Sequence, residues 1–377
     1  MKIRIDRDAL ADAVTWTSRA LSSAKAGGNI GIGIEAKGDS VVFTAYDRDT
    51  SARAEYEAVV EEAGSCVVPA RLLNDITKTL PSAPVVITQN NNNLDVQCGR
   101  SSFNLPTITA GEFPKMIEVP DLIGSITGED LATAVGQVHI AAETNESLPN
   151  LTGIQIEFLK GFITLAATDR YRLALRDVSW TPAVNDPDTS VLVPASRLND
   201  IAKGLADAAK IEISLSNTGE NKLIGFSGNG KSITTALLGY SFPKYRDTIP
   251  APGPITAYIE TGALSAALKR VRLVLDDQQK YYVALELGDG EVSLITQGAM
   301  NGAANEAIDA QVDSTLDEAA RFDPNRFIDG LSALNAPYVK LSFISAARPL
   351  LITAAKEPGV DIETGYKYWL MPKPAAK

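Results

Sequence analysis

Val67-Val68-Pro69-Ala70-Arg71-Leu72-Leu73-Asn74-Asp75-Ile76-Thr77-Lys78-Thr79-Leu80 aligns without a gap on Leu192-Val193-Pro194-Ala195-Ser196-Arg197-Leu198-Asn199-Asp200-Ile201-Ala202-Lys203-Gly204-Leu205, 125 residues further on. Solenoid units span only about 20–50 residues, so this period marks duplicated domains rather than stacked turns.

The duplication extends outward from this helix. Leu10, Ala13 and Val14 match Leu131, Ala134 and Val135, and match again at Leu264, Ala267 and Leu268. Ala45-Tyr46-Asp47-Arg48 matches Ala167-Thr168-Asp169-Arg170, and Phe113-Pro114-Lys115 matches Phe242-Pro243-Lys244. A degenerate third copy of the Pro-Ala helix runs from Asp323 to Leu331. Three units fill the 377 residues, with expected boundaries 1–122, 123–252 and 253–377. The joins fall near Pro120 and at Pro250-Ala251-Pro252-Gly253-Pro254, where proline stiffens a linker.

Each unit reads alike. A short strand leads into a helix (8–21, 129–142, 261–275) whose apolar residues recur at helical spacing, as in Leu264, Ala267, Leu268 and Val271. Short strands follow (40–46, 162–167, 291–296), then a second helix with proline at its first turn, then closing hairpin strands. The fold class expected is α+β: three tandem domains, each with two amphipathic helices on antiparallel strands.

On the second helix of unit one, Leu73, Ile76 and Leu80 form the buried stripe, and Arg71, Asn74 and Lys78 project from the other side. Lys203 takes the Lys78 position in unit two, with Lys210 seven residues on, and Lys269 and Arg270 lie off the stripe in unit three. The six helical segments 8–25, 69–80, 128–142, 194–210, 261–275 and 323–334 hold 11 Lys+Arg against 9 Asp+Glu, whereas the remainder holds 24 against 37. The net charge of −11 argues against ordinary nucleic-acid binding, yet it is concentrated outside the helices. Solvated helix faces are the plain reading of Lys25, Arg71, Lys78, Lys203, Lys210, Lys269 and Arg270; loose, sequence-blind phosphate contact is the other.

Catalytic signals are absent. His139, the single histidine, sits in an apolar helix, and no metal-spaced Cys or His pair and no nucleophile elbow occurs. No catalytic residue, metal or cofactor is therefore expected. Cys66 and Cys98 cannot make a disulfide framework, so a reducing compartment, the cytoplasm, is expected. Residues 1–20 carry Asp6, Asp8 and Asp12 and no continuous apolar stretch, so no signal peptide is expected there, and the sequence has no 18-residue apolar run. Gly225-Phe226-Ser227-Gly228-Asn229-Gly230-Lys231-Ser232 satisfies the phosphate-loop pattern literally. That loop must open a helix, whereas Asn229-Gly230 reads as a hairpin turn, so a phosphotransferase using Lys231 and Ser232 is the weak alternative.

Ala166-Ala167-Thr168-Asp169-Arg170-Tyr171-Arg172-Leu173-Ala174 sets two arginines and a tyrosine at the end of an apolar strand. This segment, together with Leu148–Ile154, Phe242–Tyr245 and Trp369–Pro372, resembles the bacterial DNA polymerase III β subunit family, the sliding clamps, over the whole chain. The resemblance implies a head-to-tail homodimer, a six-domain ring on double-stranded DNA. It also implies partners: the DNA polymerase III catalytic subunit, the clamp loader complex and other replication and repair proteins bearing a short apolar peptide motif. A clamp-fold scaffold that does not encircle DNA is the alternative within this class. Carried over position by position, the peptide cleft would comprise Leu151, Thr168, Arg170, Tyr171, Arg172, Leu173, Pro243, Pro349, Trp369, Leu370, Met371 and Pro372. Arg170 stands where many members have glycine, and Lys373 where an arginine is usual.

Overall fold

The structure is a computed structural model that describes all residues except 22–30, 48, 109–116, 118, 186–187, 217–221, 276–280, 298–301 and 375–377. Among the described residues the α-helices are α1 (Arg7–Ser18), α2 (Ala70–Thr79), α3 (Gly128–His139), α4 (Ala195–Gly204), α5 (Thr261–Val271) and α6 (Pro324–Ser332). Local chemistry explains their starts. Asp6 caps α1 by accepting from Asp8 N and Ala9 N, and Asp323 caps α6 by accepting from Asn325 N and Arg326 N. Thr127 accepts from Asp130 N and donates to the Asp130 carboxylate, a reciprocal cap before α3. Proline opens α6 at its first turn as expected, but Pro69 closes a strand and is the N-cap of α2, with Ala70 the first helical residue.

The chain forms two compact units. The first comprises Met1–Ala132, Trp180–Pro187 and Arg197–Leu237. It holds a five-stranded sheet in the order Val59–Glu62, Lys2–Ile5, Val85–Asn90, Asn93–Cys98, Ser101–Pro106. Its nine-stranded sheet runs Thr181–Pro182, Leu122–Ile126, Ile211–Ser216, Leu223–Gly228, Lys231–Ala236, Thr50–Glu57, Ser40–Asp47, Gly31–Lys37, Gly64–Pro69. Helices α1 and α2 pack together there, burying Leu10, Ala13, Val14 and Trp16 with Leu73 and Ile76. Gly204 is required by close approach: a β-carbon there would sit 2.5 Å from the Trp16 ring.

The second unit comprises Thr133–Ser179, Asp188–Ser196 and Leu238–Lys377. One long sheet runs Thr189–Pro194, Gly153–Phe158, Phe162–Thr168, Arg172–Ser179, Tyr366–Leu370, Leu350–Glu357, Tyr338–Phe343, Ile255–Glu260, Ala303–Val312, Glu291–Gln297, Val283–Leu287, Ala320–Phe322. Helices α5 and α6 pack together here, burying Leu264, Ala267, Leu268 and Val271 with Phe327 and Leu331. Every pairing described in these sheets is antiparallel, for example Thr168 with Leu173 and Leu173 with Trp369. The expected strands 40–46, 162–167 and 291–296 each run one residue longer, to Asp47, Thr168 and Gln297.

The phosphate-loop pattern is a β-hairpin. Strands Leu223–Gly228 and Lys231–Ala236 flank Asn229 at φ 51° and Gly230 at φ 72°, the left-handed pair of a tight two-residue turn. Lys231 is buried, pairs with Asp12 at 2.7 Å and lies over the Trp16 ring, so its charge is already matched inside this unit.

Candidate functional site

Four strands of the long sheet and the segment after Leu238 build a groove within the second unit. Side chains alternate along a strand. Leu173, Leu175 and Asp177 therefore point to one face of strand Arg172–Ser179, and Arg172, Ala174 and Arg176 to the other. Register carries this parity across the sheet. Thr168 pairs with Leu173, Leu173 with Trp369 and Trp369 with Leu351, giving one continuous row. Ala166, Leu175 and Lys367 form the next row, and Thr164 with Asp177 the third, where Thr164 Oγ1 donates to Asp177 Oδ1 at 2.6 Å.

Ala166, Leu173, Leu175, Leu351, Trp369 and Tyr245 make one buried apolar cluster, with Phe242 and Ile249 packed against it. Tyr245 and Phe242 meet edge to face at 5.9 Å. Tyr245 is fixed because its hydroxyl donates to Glu157 Oε1 at 2.8 Å, and Arg246 pairs with the other Glu157 oxygen. Burial, and then the bond to Glu157, push the Tyr245 phenol well above its ordinary pKa, so it stays a donor. Beyond the cluster a cavity of about 430 Å³ opens, walled by Ile249, Pro250, Ala251 and Pro252 and floored by Leu175, Leu351 and Trp369. Trp369 is 4% exposed, and among the described residues its buried Nε1–H has no acceptor. An unmatched buried donor costs about 1–3 kcal/mol.

The turn Thr168–Arg172 rims the groove and is held by its own side chains. Thr168 Oγ1 donates to Arg172 O at 2.6 Å and accepts from Arg170 N. Asp169 Oδ1 accepts from Tyr171 N and Arg172 N, while Oδ2 accepts from Arg172 Nε and Arg326 Nε, each at 3.0 Å. Arg172 also reaches Asp329 of α6 at 2.6 Å. Burial opposes charge on Arg172, but the Tyr368 hydroxyl, Asp329 and Asp169 outweigh it and hold the guanidinium above its ordinary pKa. The cluster is thus a charge-assisted lock on the back of the sheet. Arg170 has φ 77°, a conformation that favours glycine. Tyr171 is 52% exposed, with Arg326 at 4.7 Å and Arg170 at 5.8 Å over its ring.

The structure brings some of the expected cleft residues together and separates others. Leu173 and Trp369 lie on the floor, and Thr168 heads their row. Tyr171 sits beside Met371, whose N donates to Tyr171 O at 2.9 Å. Pro243 is exposed, Pro349 and Pro372 are half-buried, and Leu151 is buried. Arg172 and Leu370 have the wrong parity for the floor: Arg172 turns to α6, and Leu370, fully buried, pairs with Leu350 on the back face. Leu175, Lys367, Leu351, Tyr245, Arg246 and Ile249 were missed. Two-residue steps from Leu173 and Trp369 reach Leu175 and Lys367 from sequence alone; the others needed the non-local register.

The basic helix positions also divide. Lys78, Lys203 and Lys269 are exposed in the last turns of α2, α4 and α5, where a cation also suits the helix dipole. Arg71 is exposed, 3.9 Å from Asp75. Arg270 is paired with Glu306, and Lys210 lies beyond the end of α4, 3.1 Å from Glu212. Asn74 is half-buried with its Oδ1 unpartnered, not projecting as expected. Lys25 lies outside the described residues. Among the described residues no group of three or more His, Cys, Asp or Glu is placed to hold a metal ion.

Three consecutive stretches match the models of the DNA polymerase III beta subunit: its N-terminal domain over 1–117, its central domain over 125–244 and its C-terminal domain over 246–366. The chain belongs to the DNA polymerase III beta subunit family. The beta sliding clamp of Streptomyces coelicolor is 38% identical over 375 residues, covering 99% of each chain. The beta sliding clamp homolog GriR of Streptomyces muensis is 34% identical over 373 residues, again 99% of each. Among solved structures, the DNA polymerase sliding clamp of Bacillus subtilis superposes with a TM-score of 0.87 at 26% identity, covering both chains completely. The beta-subunit fold accounts for the tandem repeat, its helices packed on antiparallel sheets, and the hairpin at the phosphate-loop pattern.

Proposed function

We propose that this chain works as its family's processivity factor, a DNA sliding clamp. Two copies close head to tail into a ring around duplex DNA in the cytoplasm, each contributing the domains 1–122, 123–252 and 253–377. The ring tethers DNA polymerase III through a short peptide seated in the groove. The observation that carries this reading is the buried row Leu173–Trp369–Leu351, roofed by Tyr245 and rimmed by exposed Tyr171. An apolar floor with few polar groups suits a linear peptide with apolar anchors. The clamp loader and other replication and repair proteins carrying such a motif would compete for it.

Encirclement needs only weak phosphate contacts, so an acidic chain with exposed Lys78, Lys203 and Lys269 is compatible with DNA. Strands Ser101–Pro106 and Ala320–Phe322 end their sheets, and Leu273 is 77% exposed; head-to-tail pairing would cover such edges. The test is topological. Protein loaded on nicked circular DNA by a clamp loader should slide off once the circle is linearised. Retention unaffected by linearisation would sink the ring and leave a scaffold that does not encircle DNA. In solution the particle should have about twice the mass of one chain.

A further inference from the structure

The groove does not end at its apolar floor. Past Trp369 it runs into the cavity of about 430 Å³, whose far end is polar: Asp177, Lys367, Arg246 and Thr164. The hydrogen-bonding and charge state of these groups is uneven. Asp177 is engaged by the Thr164 hydroxyl at 2.6 Å, and Arg246 is paired with Glu157. Two donors remain. Lys367 is exposed and, among the described residues, makes no ion pair or side-chain hydrogen bond. Trp369, 4% exposed and lining the same cavity, holds a covered indole N–H with no acceptor among the described residues. Lys367 and Trp369 are two residues apart on one strand and share its groove face.

We propose that this cavity is a carboxylate subsite of the peptide groove: a partner peptide anchored on Leu173 and Trp369 places one carboxylate here, accepting from Lys367 Nζ and, as the indole turns to uncover its N–H, from Trp369 Nε1. This rests on the peptide-groove reading above. A carboxylate is acceptor-only and singly charged, which matches one unsatisfied N–H and one unpaired ammonium. Asp177 lines the same space but already accepts from Thr164, and Arg246 is paired with Glu157, so the added negative charge is balanced by Lys367. The carboxylate could come from a Glu or Asp side chain or from the peptide's own C-terminus.

The experiment measures binding of fluorescent synthetic peptides to the full-length protein by anisotropy. A parent peptide carries Gln-Ser-Ser-Leu-Phe with three neutral residues on either side and a C-terminal amide. Variants place Glu or its isostere Gln at each flanking position, and one set ends directly after Phe as the free acid or the amide. One Glu peptide, or the free acid, should bind at least fivefold tighter than its neutral counterpart. Which of the two does so identifies the source. That advantage, read as the ratio of acidic to neutral peptide affinity within each protein, should vanish in Lys367→Met and shrink in Trp369→Phe, which keeps a ring and removes the N–H. Equal binding of all acidic and neutral peptides to the wild type overturns the subsite, as does an acidic preference that survives Lys367→Met. Failure of the parent peptide to bind at all overturns the groove itself, a separable result.

Discussion

Arg172 Nη1 lies 2.6 Å from Asp329 Oδ2, so the strand bearing the groove floor is fastened to α6 through its opposite face. Leu173 can be presented to a ligand because its neighbour in sequence is tied down behind it.

Asp169 is the centre of that fastening. It is 5% exposed and accepts from two backbone N–H groups and two guanidinium groups. Asp169→Ala should cost about 3–5 kcal/mol, because it strands partly buried arginine charge. Asp329 is half-exposed, so Asp329→Asn should cost only about 1 kcal/mol. Urea denaturation of both variants gives the comparison; equal losses would show that Asp169 is not the hub.

Leu173→Ala should weaken binding of a clamp-binding peptide at least tenfold and lower stability by about 2–4 kcal/mol, with the dimer retained in sedimentation. Removal of 371–377 should also weaken the peptide while sparing the sheet. Removal of 369–377 differs, since it takes buried Trp369 and Leu370 out of a strand paired on both sides. Its thermal transition should fall sharply. A truncation at 369 as stable as one at 371 would contradict the central position of this strand.

Arg170 occupies a left-handed conformation at φ 77°. Arg170→Gly should therefore be neutral or stabilising by up to about 1 kcal/mol, whereas Arg170→Ala keeps the backbone strain and also loses the contact with Tyr171. Denaturation midpoints that rank alanine above glycine would refute this.

Burial pushes the Cys66 thiol up from 9.0 to about 11. Between these values the unfolded chain has released the proton and the folded chain has kept it. Stability therefore falls as pH rises through the window, by at most about 2–3 kcal/mol from this group. Urea midpoints at pH 8.5 and 10.5 should drop further for the wild type than for Cys66→Ala. In the native protein at pH 8, iodoacetamide should label Cys66 slowly. An identical pH dependence in both proteins would assign the loss elsewhere.

Periodicity made the helices legible: Leu73, Ile76 and Leu80 are buried as their spacing requires, and so are Leu264, Ala267, Leu268 and Val271. Asn229-Gly230 was enough to read the hairpin, because the turn demands residues that tolerate positive φ. The groove was legible only in part. Thr168, Leu173 and Trp369 could be picked out, but their joining into one row depends on pairings between strands far apart in sequence. Arg172 and Leu370 are a different case: alternation along a strand alone sets them on the face opposite Leu173 and Trp369, and a position-by-position carry-over from the family ignores that alternation. The same limit hid the pairing of Lys231–Thr235 with Thr50–Ala54, which joins strands of two repeats in one sheet. Arg270 read as free because Glu306 lies on a strand that helical spacing cannot place.

Strand Tyr366–Leu370 sits between Arg172–Ser179 and Leu350–Glu357, and Arg172 meets Tyr368 across 196 positions. At a synthesis rate of about 5–20 residues per second, Arg172–Ser179 leaves the ribosome roughly 10–40 s before its partner strand exists. Through that interval the chain carries an open, apolar sheet edge that holds neither Trp369 nor any complete groove. On the groove reading proposed above, a nascent clamp cannot capture a polymerase early, and competence to bind a partner reports that the chain has been made through to Leu370.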